Sequence, residues 1–177
     1  PADILLIPKS KEQVIKSVEV CKENKIPFYL IGNGSNILVR DGGFRGVVIS
    51  LKEVNTIIVD GDKIEAECGA MLKAVSDKAM ENSLTGFEFA CGIPGTIGGA
   101  VFMNAGAYDG EIAHVIESAE IIDEECNIVR LSNKDLDFGY RSSIVMKKGY
   151  TVLSAVFKLK KGQVKTIKDL VDDLTNK

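Results

Sequence analysis

The chain has 177 residues, of which 45% are hydrophobic and 27% are charged, and its formal net charge at pH 7 is −3. These values are typical of one globular domain, or of two small lobes that share a core. The sequence has no basic block, which argues against a nucleic-acid interface, and no apolar run is long enough to span a bilayer. Four cysteines and one histidine show no metal-ligand spacing. We therefore expect buried thiols in a reducing cytoplasm and no metal site.

The first part of the chain predicts a small βαββ lobe. Residues 3–8 predict a strand, and Ser10 with Gln13 forms a capping-box pattern for a helix that runs to about Lys22. Three apolar runs then predict strands: PFYLIG, ILVR and GVVISL. Because PFYLIG is apolar throughout, we expect it to be buried on both faces.

The rest of the chain predicts a mainly antiparallel lobe with one or two helices. A hairpin is expected about Asp60-Gly61, followed by a helix that ends near Asn82. IESAEIIDEECNIVRL predicts two strands, YTVLSAVFKLK a last long strand, and the tail a helix. One side of that tail helix would carry Ile167, Leu170, Val171 and Leu174. The fold class is α+β, with one lobe over residues 1–52, another over 53–162, and a terminal helix over 163–177.

A first glycine segment, GNGSN at residues 32–36, lies between two apolar runs. It is not a dinucleotide fingerprint, because Ile37 stands where glycine or alanine is needed and no helix is predicted to follow. Successive backbone N–H groups in such a turn can bind an anion. The alternative is a plain turn in which Gly and Asn adopt positive φ angles.

A second glycine segment, GFEFACGIPGTIGGAVFMNAGAYDG at residues 86–110, has almost no charge. Its composition favours a long ordered loop whose backbone lies against a flat or phosphorylated ligand. Glycines 92, 95, 98 and 99 would leave space, Pro94 would stiffen the loop, and Thr96 offers a hydroxyl. The alternative is an irregular connection within the core.

A third stretch, DLDFGYRSSI at residues 135–144, places Arg141 between Tyr140 and Ser142. Arg141 is either a surface residue paired with Asp135 or Asp137, or a cation that stabilises developing negative charge at a site.

In this order and spacing, the three stretches resemble the flavin-binding part of the UDP-N-acetylenolpyruvoylglucosamine reductase family. That family lies within the wider flavoprotein group of the vanillyl-alcohol oxidase and p-cresol methylhydroxylase type. The resemblance implies a two-lobed FAD-binding fold, non-covalent FAD and NADPH as hydride donor. It also implies a UDP-sugar substrate, UDP-N-acetylglucosamine enolpyruvate, in cytoplasmic peptidoglycan synthesis. It implies no partner protein, nucleic acid or membrane.

The resemblance also implies site residues. Residues 32–36 would hold the FAD pyrophosphate, and the second glycine segment would pass the rest of the flavin. Tyr140 and Arg141 match catalytic positions of the family. The implied cofactor-binding residues are Gly32, Asn33, Gly34, Ser35, Asn36, Gly92, Ile93, Pro94, Gly95, Thr96, Ile97, Gly98, Gly99, Asn104, Ala105, Gly106, Ala107 and Tyr108.

The sequence departs from the family in two respects. Asp109 stands where glycine is common, and no serine here matches the family's proton donor, which lies with a second acidic residue in a C-terminal substrate-binding domain. We therefore expect a fragment that lacks these groups and is inactive alone, with the terminal helix leading to that domain. The alternatives are another flavin-dependent oxidoreductase of the same fold, acting on an alcohol or sugar lactone, or a non-catalytic flavin-binding module.

Overall fold

The computed structural model describes residues 1–175 and combines helices and strands, as the α+β prediction requires. The helices are α1 (Lys11–Glu23), α2 (Leu72–Glu81), α3 (Ile97–Phe102), α4 (Ile144–Lys148) and α5 (Val164–Thr175). The strands are β1 (Ala2–Leu6), β2 (Phe28–Ile31), β3 (Phe44–Ser50), β4 (Ile57–Asp60), β5 (Lys63–Glu67), β6 (Leu84–Thr85), β7 (Gly106–Ala107), β8 (Gly110–Glu111), β9 (Ile116–Ile122), β10 (Ile128–Ser132), β11 (Thr151–Lys158) and β12 (Lys160–Lys161).

The first lobe is a three-stranded sheet in the order β1-β3-β2, and both strand pairs are parallel. Helix α1 begins as predicted, because the Ser10 hydroxyl accepts a hydrogen bond from the Gln13 N–H at 3.3 Å. The Gln13 side chain accepts in turn from the Lys9 N–H at 2.8 Å, one residue before the position expected for a capping box. The apolar face of α1 is buried in the same core as Val47 and Ile49 of β3.

The link between β2 and β3 corrects two predictions. Parallel neighbours require a crossover, and residues 32–43 make it without a helix. The run ILVR at 37–40 is therefore not a strand, and Leu38 is 97% exposed. PFYLIG is not buried on both faces either, because α1 covers one face of the sheet and Tyr29 on β2 remains 47% exposed.

The second lobe contains a five-stranded antiparallel sheet in the order β10-β9-β11-β5-β4. It confirms the hairpin about Asp60-Gly61 and the two strands within IESAEIIDEECNIVRL. Alternation along β5 puts Ile64 and Ala66 in the core, and both are fully buried.

The second lobe has more helices than the one or two predicted, because α3 and α4 form in addition to α2. Helix α3 forms within the segment expected to be a loop, and α4 follows the Arg141 stretch. The Ser143 hydroxyl accepts from the Met146 N–H and caps the start of α4, while Gly149 ends it in a left-handed conformation at φ 68°.

One buried core continues across residue 52, since Val14 and Ile49 belong to the same cluster as Ile64 and Phe157. Helix α5 packs on the second lobe through a smaller cluster formed by Met80, Cys91, Ile167, Val171 and Leu174. Leu170, expected on the buried side, is 44% exposed. Among residues 1–175, no helix combines the length and the apolar character that a membrane span needs.

Candidate functional site

A cleft of about 380 Å³ opens where the crossover leaves β2 and meets the start of α3. It brings the first glycine segment together with part of the second. Its lining residues are Phe28, Tyr29, Leu30, Ile31, Gly32, Asn33, Gly34, Ser35, Asn36, Ile37, Leu51, Thr96, Gly98, Gly99, Phe102, Met103, Val145, Gly149, Tyr150 and Val152. A cleft with a mainly apolar wall and one polar turn suits a ligand that has both a flat and a charged part.

Direct contacts hold the two glycine segments together. The Asn33 side-chain amide donates a hydrogen bond to the Pro94 carbonyl at 2.9 Å. Gly32 lies so close to Thr96 that a Cβ at Gly32 would overlap the Thr96 Oγ1. The first segment therefore lies directly against the second, and a side chain at position 32 would force Thr96 or the first segment to shift.

The first glycine segment presents free hydrogen-bond donors. Within residues 1–175, the backbone N–H groups of residues 33–36 donate no hydrogen bond to another residue, and these residues are exposed. Gly34 adopts φ +75°, which turns the backbone sharply at this point. No charged side chain of the described chain lines the cleft. An anion bound here would be held by backbone N–H groups rather than by an ion pair.

The second glycine segment divides between the cleft and the core. Gly99 is exposed in the cleft, and a Cβ there would meet only the Thr96 Oγ1, at 3.9 Å. Gly98 also reaches the cleft, but a Cβ there would be 3.1 Å from both the Cβ and the carbonyl oxygen of Cys68. Ile97 is fully buried and Ala105 is 5% exposed.

The remaining predicted cofactor residues do not line the cleft. Asn104 is 3% exposed, and its side chain bonds within the protein to Gly139 and Ala113. The Tyr108 hydroxyl donates to the Leu174 carbonyl at 3.1 Å. The predicted residues outside the lining are Gly92, Ile93, Pro94, Gly95, Ile97, Asn104, Ala105, Gly106, Ala107 and Tyr108.

Tyr140 and Arg141 form the tip of a tight turn at residues 139–142, here called the Arg141 turn. The Gly139 N–H donates to the Ser142 carbonyl at 3.0 Å, and the Ser142 N–H donates to the Gly139 carbonyl at 3.2 Å. Tyr140 is 92% exposed. Ser143, which follows the turn, donates through its hydroxyl to the Phe102 carbonyl at 2.6 Å and so ties the turn to the wall of the cleft.

The alternative interpretation of Arg141, an ion pair with Asp135 or Asp137, is wrong. Asp137 pairs with Lys147 at 2.5 Å, and Asp135 accepts hydrogen bonds from Ser132. Arg141 instead donates to the Gly106 carbonyl at 3.4 Å, a neutral partner.

The thiols lie in the protein interior, as expected, apart from the half-buried Cys126. Burial raises the pKa of the Cys68 thiol to about 12, so it is protonated and unreactive at neutral pH. Cys91 packs against α5. His114 lies 3.7 Å from Glu111 and does not line the cleft.

Sequence reasoning missed the second wall of the cleft, which includes Phe102, Met103, Val145 and Tyr150. The Asn36 side chain lies 3.4 Å from the Met103 sulfur. A local signal was present for part of this wall. Ser143 and Gly149 bracket a short run that ends in two lysines, a pattern of helix capping.

Comparison with known proteins gives consistent results. Chains named UDP-N-acetylenolpyruvoylglucosamine reductase from Clostridium perfringens strain SM101 and Clostridium beijerinckii are 59% and 60% identical over 177 residues. Each match covers 100% of this chain and 58% of the relative, so the chain spans less than two thirds of these relatives.

Solved structures agree on the fold. The crystal structure of UDP-N-acetylenolpyruvylglucosamine reductase from Thermus caldophilus superposes with a TM-score of 0.83 at 30% identity, over 97% of this chain and 61% of that one. An alkyldihydroxyacetonephosphate synthase superposes with a TM-score of 0.66 over 89% of this chain and 31% of that one. At 16% identity this second likeness shows the fold alone.

These likenesses confirm the expected α+β flavoprotein fold. The profile of a family described as FAD binding domain matches residues 2–132, which is most of the chain. The chain belongs to this FAD binding domain family.

Proposed function

We propose that this chain is the flavin-holding part of a reductase that uses NADPH to convert UDP-N-acetylglucosamine enolpyruvate into UDP-N-acetylmuramate. The reaction would serve cytoplasmic peptidoglycan synthesis and hence cell-wall growth and division. The observation that carries the proposal is the cleft in which the two glycine segments meet and the N–H groups of residues 33–36 stay free. The relatives that are about 60% identical carry the name of this reductase.

The cleft residues fit FAD. The pyrophosphate needs several hydrogen-bond donors at close range without intruding side chains, and residues 33–36 offer them. The apolar wall, with Tyr29, Phe102 and Val152, suits the flat rings of the cofactor. No thiol or imidazole lines the cleft within residues 1–175, which supports non-covalent binding. When bound, FAD would supply the hydride that it receives from NADPH.

Arg141 suits the substrate's chemistry. The acceptor is a vinyl ether conjugated to a carboxylate, so hydride addition at the methylene carbon moves an electron pair towards that carboxylate. A guanidinium next to the carboxylate stabilises this developing charge and lowers the barrier. The Arg141 guanidinium donates its hydrogen bond to the neutral Gly106 carbonyl rather than to a carboxylate that would offset its charge. Protonation of the adjacent carbon completes the reduction. Tyr140, 92% exposed beside it, is free to contact the substrate.

A chimera tests the proposal. The chain would replace the matching region of the Clostridium perfringens reductase, to which it is 59% identical. We expect the purified chimera to carry FAD and to oxidise NADPH only when UDP-N-acetylglucosamine enolpyruvate is present. NADPH absorbance and mass spectrometry of the product report the reaction.

Two other outcomes would contradict the proposal. A chimera that binds FAD but reduces another acceptor would favour a different oxidoreductase of the same fold. A folded chimera that binds FAD and reduces no acceptor with NADPH would favour a flavin-binding module without catalysis.

A further inference from the structure

Asn104 has a side chain that is fully committed inside the protein. It follows α3, adopts φ 46°, and is 3% exposed. Its Nδ2 donates to the Gly139 carbonyl at 3.1 Å, and its Oδ1 accepts from the Ala113 N–H at 3.0 Å. A carbonyl can only accept and a backbone N–H can only donate, so the two partners fix the orientation of the amide. The side chain therefore faces the protein rather than a ligand.

The Gly139 carbonyl is the base of the Arg141 turn. It accepts from the Ser142 N–H at 3.2 Å as well as from Asn104. Arg141 at the tip has φ 51°, a conformation that costs energy for a residue other than glycine. Two bonds fasten the turn to the end of α3: the one from Asn104 holds its base, and the one from Ser143 to Phe102 holds the residue after it.

The same chain segment also contacts the arginine head. Arg141 donates to the carbonyl of Gly106, two residues after Asn104. Both the base of the turn and its guanidinium thus rest on residues 104–106. Residues 104–106, here called the bracket, therefore set the position of the Arg141 guanidinium.

We infer that Asn104 is a positioning residue for Arg141 and not a ligand of the cofactor. No other side chain of similar size meets all the requirements at once. Aspartate cannot donate to the Gly139 carbonyl, alanine makes neither bond, and both Asn and Asp tolerate the left-handed conformation. The effect of this bracket on catalysis rests on the proposed reductase function. Its effect on the conformation of the Arg141 turn does not.

Two variants and one control separate the roles. Asn104→Asp keeps the acceptor for the Ala113 N–H and loses the donor, and Asn104→Ala loses both. Asn33→Ala is the control, because Asn33 is an exposed amide that joins the two glycine segments. Each 177-residue chain would be titrated with FAD, and the Arg141 turn would be probed by trypsin cleavage after Arg141 and by exchange of the Ser142 amide.

For the Asn104 variants we expect FAD affinity within about 2-fold of the wild type and Ser142 exchange at least about 10-fold faster. Asn33→Ala should instead lower FAD affinity and leave Ser142 exchange unchanged. The inference is overturned if the Asn104 variants lose about 10-fold or more in FAD affinity while the turn stays protected, or if neither property changes.

A measurement on the wild type covers the case in which both variants fail to fold. In the 15N-labelled chain, FAD should shift the side-chain amide resonances of Asn33 and Asn36 and leave that of Asn104 in place. A larger shift at Asn104 than at Asn33 would overturn the inference.

In the chimera, Asn104→Asp should lower kcat about 10-fold or more and leave the KM for NADPH unchanged. An unchanged kcat with a loosened turn would limit the role to structure and overturn the catalytic part. If the unsubstituted chimera is inactive, the proposed function fails, and the exchange and FAD measurements still decide the structural part.

Discussion

The two glycine segments have similar compositions and use glycine for different reasons. In the first segment, residues 33–36 are exposed and their N–H groups are free within the described chain. In the second, Gly98 lies against Cys68, Asn104 holds the Arg141 turn, and Tyr108 bonds to α5. The first segment thus leaves its backbone donors available to a ligand, whereas most of the second packs within the protein. Glycine content alone does not distinguish a binding loop from a tightly packed one.

The largest expected effect is the loss of kcat when Arg141, which contacts the second segment at Gly106, is removed. In the chimera, Arg141→Ala should lower kcat about 10²- to 10³-fold, because the developing charge loses its stabilising cation. FAD affinity should not change, since Arg141 does not line the cleft. Arg130→Ala is the matched control: Arg130 is also a surface arginine, and it lies 3.5 Å from Glu120. Equal losses for the two variants would remove Arg141 from the site.

Adjacent glycines allow the comparison to be tested within one helix. Gly98→Val should lower the free energy of unfolding by about 1–3 kcal/mol, because its side chain would overlap Cys68. Gly99→Val should change that free energy by less than about 0.5 kcal/mol, since position 99 is open. Its isopropyl group would enter the cleft and weaken FAD binding about 10-fold. Urea unfolding and FAD titration measure both, and a destabilised Gly99→Val would contradict this division of roles.

Gly32→Ala tests the contact between the two segments. The new Cβ would overlap the Thr96 Oγ1, so the first segment must move away and FAD affinity should fall about 10-fold. Thr96→Ala in the same chain removes that oxygen and should restore part of the affinity, which a double-mutant cycle measures. Additive losses in the cycle would show that the two positions do not interact.

The smallest effect is the pH dependence of the loop that leads to the Arg141 turn. The hydrogen bond from the Ser132 side chain lowers the pKa of Asp135 below its ordinary value of 3.8. A carboxyl with a lowered pKa in the folded state stabilises the fold above its unfolded pKa, and this contribution is lost as the pH falls through the folded value. As the pH falls below 3.8, the wild type should therefore lose more thermal stability than Asp135→Asn. Melting curves from pH 6 downwards check this, and parallel curves for the two chains would contradict it.

Local signals predicted much of the fold correctly. The Ser10 cap, the Asp60-Gly61 hairpin and the alternation in β5 each depend on a few neighbouring residues. The run ILVR was wrongly predicted as a strand because its conformation depends on how β2 and β3 pair, which its own residues do not show. Once β2 and β3 pair in parallel, residues 37–40 serve as a crossover and cannot form a strand between them.

The candidate site was predicted only in part, because some of its residues come together through tertiary contacts that the local sequence does not show. The two glycine segments were identified from composition, and the structure brings residues 32–36 against Thr96 and Gly99. Phe102 and Met103 in the second wall gave no local signal, since common apolar residues become a wall only by tertiary contact. The family resemblance assigned Asn104 to the cofactor, whereas in the structure its side-chain amide donates to the Gly139 carbonyl. Sequence does not show which way an amide points.

We propose that the free N–H groups of residues 33–36 bind the pyrophosphate of FAD. The most direct measurement is a two-dimensional NMR titration of the 15N-labelled chain with FAD and, separately, with riboflavin, which lacks the phosphates. We predict that FAD shifts the backbone amide resonances of residues 33–36 and that riboflavin at the same concentration does not. FAD binding that leaves these four resonances unmoved, or equal shifts with riboflavin, would contradict binding of the pyrophosphate by these N–H groups.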